Sequence, residues 1–129
     1  MCFLYCFCNA SLTQRALNYL SKRIKWVDYC ATVIFLNDYW LVRIEIKSNV
    51  ERENLRDTES FLNENGLPYN PCAYIQRVLD ECNSGIELTD VMDRYHVAVI
   101  AHGKPQVEEI RHFRAAFVKG LGYCPPSLV

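Results

Sequence analysis

Long apolar runs are missing from this sequence. The two longest, 2–8 and 97–101, fall far short of the roughly 20 residues that a membrane-spanning helix requires. No basic segment precedes the first run, and polar Asn9 ends it, so no secretory signal is expected. Repeats and low-complexity tracts are absent. Glycine is scarce, at five residues, and none belongs to a phosphate loop ending in Lys-Ser/Thr. There is no Gly-x-Ser-x-Gly, no His-Glu-x-x-His and no paired-cysteine motif, so no nucleophile with a neighbouring base can be assigned. Net charge is also nearly missing, at −1. A pI near 6.3 argues against a dedicated nucleic-acid binder, although Arg15, Lys22, Arg23 and Lys25 make a modest basic strip.

What is present describes a folded chain. Half of the 129 residues are hydrophobic and 22% are charged, as in one globular domain spanning 1–129. Asn37-Asp38 separates two β-rich runs, 29–36 and 39–48, and a two-residue turn fixes their register. Phe35 then faces Trp40, Val33 faces Val42, Ala31 faces Ile44 and Tyr29 faces Ile46, giving a core side. The other side pairs Ile34 with Leu41, Thr32 with Arg43, Cys30 with Glu45 and Asp28 with Lys47. Near the turn this second side is apolar. The sequence leaves two readings of it open. It is covered by the N-terminal strand or the C-terminal tail, or it is an exposed contact patch centred on Tyr39 and Leu41.

Periodicity places a strand at 2–8 and a helix behind Ser11, with Ser11 and Gln14 as a capping box and Leu12, Ala16, Leu17, Leu20 and Ile24 as its stripe. A second capping box, Ser48 to Glu51, opens a polar helix that ends at Gly66. Residues 67–71 read as a loop. Asn70-Pro71 starts the next helix, with Ile75, Val78, Leu79 and Cys82 inward, and Gly85 ends it. A short helix over 88–94, a strand over 96–102 and a last helix over 106–119 follow. The fold class is therefore α/β of the α+β type, in the order βαββ(αα)βα. It resembles the ferredoxin-like plan with extra helices, a plan that hosts many functions.

Seven cysteines without paired spacing read as reduced thiols, in a cytoplasmic protein, that pack in the core. Cys2, Cys6 and Cys8 share a strand face rather than a ligand turn, so no metal and no cofactor is expected. His102 and Lys104 sit at a strand-to-helix turn, as Asn9 and Ser11 do at an earlier one. Both turns are candidates for anion binding in a small enzyme or nucleotide-binding domain. Arg114 falls inside the apolar arc of the last helix, where it must pair with a carboxylate or anchor a partner.

The near-zero net charge hides an asymmetry. Residues 1–48 carry six basic and three acidic side chains. Residues 49–95 carry four basic and ten acidic ones, and residues 96–129 four basic and two acidic ones. An acidic centre on a motif-poor chain points to a protein-binding module, of the inhibitor or immunity/antitoxin type, acting on a basic target. The partner-binding candidates are Glu51, Glu53, Asp57, Glu59 and Glu64, with Tyr39, Leu41 and Arg114. A third class, a subunit that pairs through the hairpin edge, stays open at this point.

Overall fold

The computed structural model describes residues 2–24, 27–36 and 38–104. Along them run β1 (Cys2–Phe7), α1 (Ala10–Arg23), β2 (Tyr29–Leu36), β3 (Tyr39–Ile46), α2 (Arg52–Asn65), β4 (Leu67–Pro68), α3 (Ala73–Asn83), α4 (Leu88–Tyr95) and β5 (Ala98–Gly103). The strands form one sheet in the order β4-β1-β3-β2-β5, and every pairing is antiparallel. The helix expected over 106–119, with Arg114, lies outside the described residues.

The hairpin has the register that its alternation specifies, from Tyr29 opposite Ile46 to Leu36 opposite Tyr39. Asp38 turns the chain with φ 65°, a left-handed conformation that a short polar side chain tolerates. Successive side chains of a strand point to opposite faces, and each face has its own core. On one side Tyr5, Phe7, Trp40, Val42 and Ile44 pack with Ala16, Leu17 and Leu20 of α1 and Leu62 of α2. On the other, Ile34 and Leu41 pack with Ile75, Val78 and Leu79 of α3, Val91 of α4, and Val97 and Val99. The second hairpin face is therefore covered at Ile34 and Leu41, mostly by α3 and α4, whereas Tyr39 beside the turn stays exposed.

Through residue 68 the chain follows β1-α1-β2-β3-α2-β4 in the spatial order 4-1-3-2, which is the βαββαβ plan. Its fourth strand is not the one expected. Leu67–Pro68 takes that place beside β1, although two residues with a proline are too short to show a period. The later strand, at 98–103 rather than 96–102, joins the opposite edge beside β2. His96 is excluded from it because it ends α4 in a left-handed conformation, φ 55°.

Several local expectations shift. Asn9, not Ser11, caps α1: its extended backbone lets Oδ1 accept the Leu12 N–H at 2.9 Å, and asparagine caps as well as serine does. Ser48 does not cap α2, because its Oγ accepts the Asp28 N–H at 3.1 Å; α2 starts behind Glu51 without a side-chain cap. The third helix starts at Ala73, two residues beyond Pro71. Gly66 does end α2, with its N–H on Leu62 O at 2.9 Å. A Cβ there would lie 2.7 Å from Phe7 Cε1 and 2.8 Å from Cys6 O, so the glycine lets the helix end approach β1. Cys30 and Cys82 are buried, but Cys2, Cys8 and Cys72 are exposed, contrary to general core packing of the cysteines. Among the described residues, no helix is long and apolar enough to cross a membrane.

Candidate partner-binding surface

The second helix is held by few anchors. Thr58 and Leu62 are buried and Leu55 and Phe61 half-buried. The Phe61 ring stacks on Tyr19 of α1, with centroids 4.1 Å apart and planes at 9°. Asn65 at its end is half-buried too, and the remaining residues of the helix are exposed. Glu51, Glu53, Asp57, Glu59 and Glu64 are all exposed. The ion pairs among the described residues are Arg43–Glu45 at 3.8 Å and Arg94–Glu81, so none of the five carboxylates takes part in one. Glu53 and Asp57 stand four residues apart, a like-charge spacing that weakens a helix. Arg52 and Arg56 share the helix and are also exposed.

At its C-terminal end α2 borders an open groove of about 320 Å³, lined by Tyr39 of the hairpin, Glu64, Asn65, Gly66, Leu67 and the thiols Cys6 and Cys8. Tyr39 is 54% exposed and Leu67 72%. The fold thus brings Tyr39 and Glu64 together. Leu41, their companion among the sequence candidates, is only 2% exposed and belongs to the core under α3 and α4, so it cannot meet a partner. The sequence does not reveal Leu67, because a loop gives no hint of what its side chain meets. Beside the groove, Tyr5 donates its hydroxyl hydrogen to Asn63 Oδ1 at 2.8 Å. Burial, and secondarily the Glu59 charge, push the Tyr5 phenol upward.

The two turns proposed for anions lie at opposite ends of the sheet. Asn9 follows β1 beyond the Phe7–Trp40 pair, near the hairpin turn. His102 lies opposite Thr32, toward the other end. At the first turn Asn9 Oδ1 already takes the free Leu12 N–H, and Ser11 is a half-buried first-turn residue. At the second, Lys104 Nζ donates to Val27 O at 3.0 Å and sits 5.3 Å from the Tyr29 ring centroid.

His102 enters a different cluster, which the sequence did not reveal. Its Nδ1 lies 2.8 Å from Thr32 Oγ1, and Cys30 Sγ lies 3.9 Å from both ring nitrogens. Arg43 Nε donates to Cys2 Sγ at 3.4 Å, and Glu45 accepts from Asn83 Nδ2 at 3.1 Å. Burial, then the Lys47 and Arg43 cations, push His102 below its ordinary value, so the imidazole is neutral at neutral pH. Cys30 is equidistant from the two nitrogens and one of them is held by Thr32, so no ring lone pair is aimed at the thiol. This geometry does not make the base–nucleophile pair of an activated cysteine. The hairpin's alternation placed Cys30, Thr32, Arg43 and Glu45 on one side; only the pairing of β5 with β2 adds His102. Among the described residues, no three of His, Cys, Asp and Glu converge to hold a metal ion.

No family model matches the chain, and no curated protein matches it. Among solved structures it is similar to the crystal structure of the C-terminal domain of YpbH, with 17% identity over 60% of this chain and 78% of that one, and a TM-score of 0.46.

Proposed function

We propose that this protein is a binding module of the inhibitor or antitoxin type, working in the reducing cytoplasm, that engages a protein with a basic surface through the outer face of α2. The observation that carries the reading is the five exposed carboxylates of 51–64, none in an ion pair among the described residues. A helix surface on which five carboxylates outnumber two exposed arginines, Arg52 and Arg56, accelerates the approach of an oppositely charged partner, and added salt weakens the effect.

The test is Glu53→Lys with Asp57→Lys. Wild-type protein used as bait in extracts of its native host should retain a stoichiometric basic protein. With that partner purified, the double variant should associate about tenfold more slowly at low salt. Its stability should stay within about 0.5 kcal/mol of wild type, as for exposed positions elsewhere. A lower melting temperature with an unchanged association rate would show instead that the carboxylates serve the fold, and the reading would be abandoned.

A further inference from the structure

We infer that the groove at the end of α2 receives an arginine side chain from the partner, an inference that rests on the reading of α2 as a partner-binding face. The groove measures about 320 Å³, at the small end of ligand sites, and suits one long side chain better than a compact ligand. Its walls offer two large apolar groups to water, Tyr39 and Leu67.

Both of its asparagines are engaged within the fold. Asn63 Oδ1 accepts from Tyr5, Asn65 Oδ1 accepts from Arg15 Nη1 at 3.2 Å, and Asn65 Nδ2 donates to Phe61 O at 2.8 Å. The Glu64 carboxylate has no ion pair or hydrogen bond among the described residues. An apolar slot with a tyrosine ring and one unengaged carboxylate complements a cation with a flat body and an aliphatic stem. A guanidinium stacks on an aromatic face and pairs with a carboxylate through two N–H groups. Its methylenes lie against a surface such as Leu67. Lysine matches the charge but lacks the planar face.

The experiment is an NMR titration of the ¹⁵N-labelled full-length protein with the peptide acetyl-Gly-Arg-Gly-amide. A control peptide carries citrulline, which keeps the shape and loses the charge. The expected result is saturable shifts at Tyr39, Glu64, Gly66 and Leu67 with the arginine peptide and none with citrulline. Glu64→Gln and Tyr39→Ala, both at exposed positions, should each weaken binding at least about threefold. Equal shifts with citrulline, or no shifts, overturn the inference. Shifts confined to Glu53 and Asp57 also overturn it while leaving the acidic-face reading intact. If the groove responds as expected but the α2 double reversal leaves partner association unchanged, the acidic-face reading falls and the arginine site stands alone.

Discussion

The two faces of the sheet are built differently. The face toward α1 and α2 is apolar from end to end, with Tyr5, Phe7, Val33, Trp40, Ile44 and Tyr29 buried in one cluster. Phe35 meets Trp40 there, with ring centroids 4.8 Å apart at 53°. The face toward α3 and α4 is divided. Near the hairpin turn Ile34 and Leu41 lie under α3 and α4. Farther along, Cys30, Thr32, Arg43, Glu45 and His102 form a polar belt, in which Thr32 meets His102, Arg43 faces Glu45 and Glu45 accepts from Asn83 of α3. Apolar volume holds the first face, which fits large side chains and tolerates no change of size. The second face is held partly by polar contacts, whose strength depends on protonation.

The largest effect that tests this contrast comes from Trp40 and Leu41, neighbours in sequence on opposite faces. Trp40→Ala should cost about 3–5 kcal/mol and Leu41→Ala about 2–4 kcal/mol by denaturant unfolding. A Leu41 cost near zero would mean that the second face is no core at all. Next comes Gly66→Ala. The new methyl meets the Phe7 ring and the Cys6 carbonyl, and since backbone cannot rotate aside the loss should be about 1–3 kcal/mol by the same measurement.

A smaller effect of opposite sign is expected at Tyr29, the polar flaw of the apolar face. Its hydroxyl is buried without a hydrogen-bond partner among the described residues, and burial pushes its pKa up to about 12. Tyr29→Phe should therefore be neutral or stabilise by up to about 1 kcal/mol. A clear loss of stability would show that the hydroxyl has a partner. The smallest effect belongs to the belt. His102 has a folded pKa below the ordinary 6.5, so the unfolded chain takes up the proton first. Its contribution is complete above pH 6.5 and fades as pH falls through the lower folded value. Between pH 7.5 and 5 the melting temperature of wild type should drop more than that of His102→Gln. Parallel curves would remove titration from the account of this face.

How much of this was legible in the sequence follows from the range of each signal. The hairpin register was, because a two-residue turn and strict alternation over eight residues constrain each other. The stripes of α1 and α3 were, because their apolar positions recur at helical spacing. The end of α2 was legible from Gly66, but the reason for the glycine, Phe7, lies 59 positions away. The edge strand at Leu67 and Pro68 was not, since two residues carry no period. The exposure of the five carboxylates followed from the scarcity of apolar residues on their helix. The groove did not, because Tyr39 and Leu67 meet only through the pairing of β1 with both β3 and β4. His102 was placed on its strand, but its proximity to Cys30 depends on a long-range pairing that no local pattern encodes.

The proline in β4 has a consequence for self-association. Tyr69 N–H points inward to Leu4 O at 2.9 Å. Alternation along the strand turns the Leu67 N–H the same way and the Pro68 nitrogen outward. That nitrogen carries no hydrogen, so the outer rim of β4 has no donor with which to template another chain. A strand docking here in amyloid fashion finds a ladder that stops after two residues, and this corner of the molecule is left to recognition by side chains.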